Sequence, residues 1–362
     1  MKSLFLFCRP GFEDACAAEV SGHAGRLQLP GWCRARPGDG FVLFTSHAED
    51  GGARLYNRLA LDELVFARQW FVVLAELTAL PPADRIGPLL ASLDPLPEPV
   101  RGLWMETPDS NEGKSLSTLA RKLERPLQRA LADAGRLADG SPLWLHCCLL
   151  GGDHLVAGYA CRHNSAPWPG GIPRLKMPRS APSRSTLKLE EALLRLFGDA
   201  VERYLPPGGR AVDLGAAPGG WTWQLVRHHQ FVTAVDNGPM DAALMDSGQV
   251  EHRREDGFRF RPQRPVGWMV CDMVERPVRV AALAADWLVA GWCRHALFNL
   301  KLPMKKRLAE VERCLGLVEA RLAEANIKHR LFAKQLYHDR EEVTVAVVRI
   351  NGVRLTAVPL SQ

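Results

Sequence analysis

The sequence predicts an α/β protein: a doubly wound, mostly parallel sheet over residues 183–362, preceded by an α+β region over 1–165 and a linker at 166–182. Three observations carry this reading. After residue 183, apolar runs of strand length alternate with helical periodicities, and such alternation calls for crossover connections and parallel strands. A glycine-rich turn, GRAVDLGAAPGGW at 209–221, follows the first of these runs. Between the halves lies WPGGIPRLKMPRSAPSR, where proline and glycine recur and no acid separates Arg174, Lys176, Arg179 and Arg184, so the stretch reads as an extended linker close to the active site.

Taken in order, SLFLFC at 3–8 reads as a strand, 12–20 as a helix and 41–44 as a second strand. The run ELVFARQWFVVLAEL, within 61–77, has room for a strand pair. Prolines at 81, 82, 95, 97 and 99 then punctuate the chain before a new strand at 103–106. Leu116, Leu119, Leu123, Leu127 and Leu131 recur at helical spacing, which predicts a long helix over 111–135 that Pro126 kinks or divides. Its outer side carries Lys114, Arg121, Lys122, Arg125 and Arg129, either a solvated face or an RNA-docking one. Segments 143–150 and 154–160 flank Gly151-Gly152-Asp153 as a hairpin.

In the second half, Ser183-Arg184-Ser185-Thr186 reads as an N-cap cluster for the helix LKLEEALLRLF. Strands are expected at 211–214, 230–235, 267–271, 296–300, 331–337 and 343–349, with helices after the glycine turn, at 277–291 and at 304–325. The short HDREE turn joins the last two strands, so one of them must run antiparallel to the rest. This is a Rossmann-like pattern.

Composition bounds the function. The chain of 362 residues carries a net charge of +6, with its cations bunched, the second cluster being Lys301, Lys305, Lys306 and Arg307. Such bunching suits RNA. Nine cysteines without a C-x-x-C pair argue for reduced, buried thiols and against a disulfide framework or a zinc site. The opening MKSLFLFCRPGFEDA has too short an apolar run for a signal peptide core, and no run is long enough to span a membrane. A cytoplasmic, monomeric, metal-free protein is expected.

The glycine turn specifies the cofactor by what it lacks. Its spacing from Gly215 is G-x-x-x-G-G, and no Lys-Ser or Lys-Thr follows, so neither a dinucleotide nor a P-loop nucleotide suits it. S-adenosylmethionine (AdoMet) has no phosphate and wants close backbone approach, a carboxylate for its ribose and a polar group for its adenine. Asp236 ends the next strand and Asp256 sits in the following loop. In such sheets ligands bind beyond the carboxyl ends of strands, where Asp213, Asp236, Asp272 and Lys301 all fall. Lys188 and Glu342 complete a lysine–carboxylate set, although Lys188 with Glu191 also reads as a plain helix pair. A ribose hydroxyl must lose its proton as it takes a methyl group. A second lysine and burial both favour an uncharged amine, so Lys301 is the candidate base, Lys188 tunes it, and Asp272 and Glu342 orient the pair.

SRSTLKLEEA, DLGAAPGGW, CDM, NLK and REEVTV together resemble the FtsJ-type ribose 2′-O-methyltransferases with a Lys-Asp-Lys-Glu tetrad, here Lys188, Asp272, Lys301 and Glu342. The fuller strings VDNGPM, REDGFRFRP, WMVCDMVE, FNLKLPMKKR and QLYHDREEVTV are similar to a narrower bacterial family, the RlmM enzymes. That resemblance covers 183–350. It implies methylation of the 2′-hydroxyl of cytidine 2498 in 23S rRNA, and AdoMet contacts at Ser185, Ala217, Pro218, Gly219, Gly220, Asp236, Asp256 and Asp272. It also implies a ferredoxin-like plus THUMP RNA-binding region in the first half. Ala217 departs from the family, where cysteine is common. Two rivals remain compatible with the sequence: an RNA base methyltransferase, for which Cys271 beside Asp272 is the residue to watch, and a non-catalytic RNA-binding ribosome-assembly factor.

Overall fold

A computed structural model describes residues 1–350 and divides into two compact units, Met1–Ile172 and Pro173 onward. The first holds β1 (Ser3–Phe7), α1 (Glu13–Arg26), β2 (Gly31–Ala35), β3 (Phe41–Ser46), α2 (Gly51–Arg58), β4 (Gln69–Leu77), α3 (Ile86–Ala91), β5 (Gly102–Glu106), α4 (Asn111–Asp133), β6 (Leu143–Leu149) and β7 (Leu155–Cys161). Its seven strands form one sheet in the order β2-β3-β1-β4-β7-β6-β5. The α4 helix lays Ala120, Leu127 and Leu131 into the core beneath β5 and β6. Ser110 caps it by accepting the Gly113 N–H at 3.1 Å, and the helix runs unbroken through Pro126.

Several elements differ from those expected. The α1 helix is longer, running to Arg26, while β2 and α2 were not foreseen. Segment 61–77 holds one strand, β4, instead of two: the Val65 and Phe66 N–H groups are taken by the buried Glu19 carboxylate at 2.6 and 3.0 Å, leaving them no ladder to join. Residues 166–171 are also fastened to this unit, since Gln69 Nε2 donates to the Ala166 carbonyl at 2.8 Å and Gly170 N–H bonds Glu106. The division between units therefore falls inside the expected linker.

The second unit comprises α5 (Thr186–Phe197), α6 (Val201–Tyr204), β8 (Arg210–Leu214), α7 (Gly220–Arg227), β9 (Phe231–Val235), α8 (Ala242–Met245), β10 (Val250–Arg253), β11 (Val266–Cys271), α9 (Pro277–Val289), β12 (Cys293–Lys301), α10 (Arg307–Glu324), β13 (His329–Lys334) and β14 (Glu342–Arg349). Sheet order is β10-β9-β8-β11-β12-β14-β13, parallel except that β14 runs antiparallel to both of its neighbours. Strand order reverses between β8 and β11, and a doubly wound sheet opens its ligand crevice at the carboxyl edge of that point. The edge strand β10 was missed because VEHR carries only one strongly apolar residue.

Candidate active site

The site is assembled by register. Lys301 and Glu342 face each other across the antiparallel β12–β14 pair, and so do Asn299 and Thr344. Because side chains alternate across a strand, residues two apart share a face, and these four project together. Asp272 leaves the end of β11 beside them, and Lys188 comes from the first turn of α5. Lys301 Nζ bonds Asp272 Oδ1 and lies 3.3 Å from Glu342 Oε2. Lys188 Nζ bonds Asp272 Oδ2 at 3.2 Å and pairs with Glu342 Oε1. Each amine thus bridges both carboxylates.

Burial is the largest influence on Lys188 and favours its neutral form, yet Asp272 and Glu342 outweigh it and push its pKa up. Lys188 therefore does not present a neutral amine in this site. Nor does it pair with Glu191. The Glu191 carboxylate, fully buried one turn along α5, accepts the Tyr337 and His338 N–H groups at 3.0 Å and meets His338 Nδ1 at 2.8 Å. It therefore ties the helix that carries Lys188 to the turn that leads into Glu342.

Two residues outside the expected set support the tetrad. Asn299 Nδ2 donates to Asp272 Oδ1 at 2.9 Å, and its own Oδ1 accepts the Thr344 hydroxyl at 2.8 Å. That bond fixes which end of the amide faces Asp272. Thr344 Oγ1 also lies 3.1 Å from Asp339 Oδ2, whose carboxyl burial pushes well above the ordinary range. The signal was present in NLK and EEVT, but an Asn and a Thr inside apolar runs say nothing until the strand pairing is known.

Across the switch point, Gly215 and Gly219 hold φ of +79° and +119°, and Gly219 opens α7. A Cβ on Gly215 would come within 2.5 Å of Met273 Cγ, and one on Gly220 within 2.1 Å of Ser185 Oγ. Ser185 does not cap α5 with its side chain; its hydroxyl meets Ser183 Oγ at 2.7 Å beside that glycine. Asp236 Oδ2 accepts the Ala217 N–H at 3.1 Å and Oδ1 the Gly238 N–H at 2.7 Å, so it shapes the loop that bears Ala217 and Pro218. Asp256, half-exposed, accepts the Phe258 N–H at 2.9 Å. Asp213 is not at the edge: it is buried within β8, its Oδ2 accepting the Thr222 hydroxyl at 2.6 Å, and burial pushes its pKa up to about 7. AdoMet is cationic at its sulfonium and amine. An edge lined by Asp236, Asp256 and Asp272, above a turn that no side chain could enter at Gly215, fits such a ligand.

Base methylation through Cys271 does not fit. Its thiol is fully buried in β11, and burial pushes its pKa up to about 12, so the thiolate that nucleophilic attack requires is disfavoured.

Sheet order, glycine turn and carboxylate-lined edge define the class as a Rossmann-like, AdoMet-dependent methyltransferase, and the FtsJ-like methyltransferase family matches residues 181–320. The RlmM ferredoxin-like domain matches residues 1–71, and the N-terminal family of ribosomal RNA large subunit methyltransferase M matches 84–161. Proteins of that last name align nearly end to end. One from Methylococcus capsulatus is 54% identical over 94% of this chain and 97% of its own, and one from Xanthomonas campestris 52% identical over 96% and 100%. A third, from Escherichia coli, is 49% identical over 97% of each chain. The chain belongs to the ribosomal RNA large subunit methyltransferase M family.

Proposed function

We propose that this enzyme methylates the ribose 2′-hydroxyl of cytidine 2498 in 23S rRNA, with Lys301 as the proton acceptor. The observation that carries the reading is the Lys301 amine held between Asp272 and Glu342 at the carboxyl edge of the sheet. Bound AdoMet would supply the methyl group: the ribose O–CH3 bond would form as the S–CH3 bond breaks, leaving S-adenosylhomocysteine, and the ribose proton would depart. Lys301 Nζ receives that proton. Asp272 and Glu342 already face the amine from two sides, so the ammonium that forms meets its counter-charges without reorganisation. Lys188, a standing cation on the same two carboxylates, keeps them from taking the proton themselves. Ser185, the Ala217–Gly220 turn, Asp236 and Asp256 are the proposed cofactor contacts.

Replacing Lys301 tests this. Lys301→Ala should cut single-turnover methyl transfer by about 10²–10⁴-fold while AdoMet and RNA still bind, and the loss should sit in kcat. Lys301→Arg should fail equally, because a guanidinium keeps its proton. The parent rate should climb with pH and then level, and that climb should vanish in the arginine variant. Near-normal transfer by Lys301→Ala would leave the lysine a structural part only.

A further inference from the structure

Two large apolar side chains stand apart in exposure among the described residues: Val274 at 92% and Met304 at 81%, with Trp32 next at 52%. Isolated apolar residues on a surface are ordinary. The position of these two is not. Val274 lies two residues beyond Asp272 and Met304 three beyond Lys301, on the loops that leave β11 and β12. Those strands are adjacent and parallel, with Cys271 level with Phe298 and β12 running on to Lys301, so both loops leave the sheet at the edge that carries Asp272 and Lys301.

Both loops are braced from below. Leu302 N–H bonds the Glu341 carbonyl at 2.7 Å, and the Arg307 guanidinium bonds the Glu341 carboxylate at 2.7 Å, which holds the turn carrying Met304 at both ends. On the other loop Met273 turns inward against Gly215 and Gly257, while Glu275 accepts the Arg276 N–H at 2.7 Å. Val274 is left pointing out. Lys305, Lys306 and Arg276, all exposed, flank the two side chains.

The acceptor amine explains why such a rim is needed. The Lys301 side chain is only 20% exposed and is fixed by two carboxylates, so it cannot reach out to a ribose. The ribose must descend to it, and a nucleotide that leaves its stack exposes the face of a neighbouring base. Aliphatic side chains serve as wedges at such steps, and cations beside them take the phosphates. We infer that Val274 and Met304 form an apolar wedge that covers the base next to the target nucleotide, with Lys305 and Lys306 on the adjoining backbone. This rests on the reading that the substrate is an RNA ribose.

The test uses the full-length enzyme with an unmodified 23S rRNA fragment spanning the target, with 2-aminopurine placed beside the target nucleotide. The parent should brighten the probe as the base unstacks. A Val274→Ser, Met304→Ser double variant should lose the brightening and raise the half-saturating RNA concentration in single-turnover transfer by about tenfold or more. Its AdoMet affinity by calorimetry should not change, since both side chains are exposed. Lys305→Ser with Lys306→Ser should instead flatten the salt dependence of RNA binding and keep the brightening at saturating RNA. A double serine variant with the parent's RNA dependence and brightening would overturn the wedge, and would leave a partner protein or a second copy as the occupant of this rim. If the parent brightens the probe yet transfers no methyl group to ribose, the wedge stands and the reading of Lys301 fails.

Discussion

Asp272 is where the site's geometry meets. One carboxylate receives Lys301 and the Asn299 amide on one oxygen and Lys188 on the other, so its orientation sets where the Lys301 amine is held. A hydrogen bond to a charged group is worth about 1.5–3 kcal/mol. Asn299→Ala should therefore lower kcat by about 10–100-fold and leave AdoMet affinity near normal. Thr344→Val should show a smaller loss of the same kind, because the amide then loses the contact that fixes its orientation. Single-turnover kinetics with calorimetry on folded variants checks both, and an unchanged rate would make the Asn299 amide mere packing. At this scale the tetrad was legible because Asp272 and Lys301 each end an apolar run, the place where an ionisable side chain reaches the ligand edge. Asn299 and Thr344 were not, since their roles exist only in the register of β12 on β14.

Among elements, β8 and α7 are joined by a buried polar contact with consequences for stability. Asp213 in the unfolded chain titrates near its ordinary value of 3.8; in the fold burial raises this to about 7, partly offset by the Thr222 hydroxyl. The folded state therefore holds its proton more tightly. Below pH 3.8 the carboxyl is neutral in both states and costs nothing. As pH rises from there to about 7 the unfolded chain alone gives up the proton, and stability falls by an amount on the order of 4 kcal/mol. Asp213→Asn, which keeps a carbonyl to accept from Thr222, should remove this decline and be more stable than the parent above pH 7. Denaturant unfolding across pH 4–8 decides it; parallel curves for the two proteins would place the burial cost elsewhere. The strands and helices of this half were readable because a two-sided parallel sheet writes long apolar runs. In the first half, β2 and α2 were hidden for a physical reason. GWCRA is an edge strand with no buried residue, and α2 begins on Gly51-Gly52, poor helix formers retained because a Cβ on Gly51 would strike Ser46 Oγ at 2.1 Å and one on Gly52 the Lys2 backbone at 2.7 Å.

At the scale of the whole molecule, each unit displays cations apart from its core. On α4, Lys114, Arg121, Lys122, Arg125 and Arg129 are all exposed, and in the second unit so are Arg174, Lys176, Arg179 and Arg184. Phosphate contacts release counterions, so neutralising the α4 set should weaken RNA binding and flatten its dependence on salt, with AdoMet affinity spared. A salt slope equal to the parent's would move the RNA path off that helix. No helix among the described residues is long and apolar enough to cross a membrane.

In the proposed reaction a ribose oxygen of one nucleotide receives the methyl group while Lys301 takes its proton. Mass spectrometry of nuclease fragments from unmodified 23S rRNA, treated with AdoMet and either the parent or Lys301→Ala, reads this directly. A single methyl is expected on the ribose of cytidine 2498 with the parent, and at most about a hundredth as much with the variant over the same reaction time. A methyl on a base, on another nucleotide, or equally on the same ribose with Lys301→Ala would contradict it.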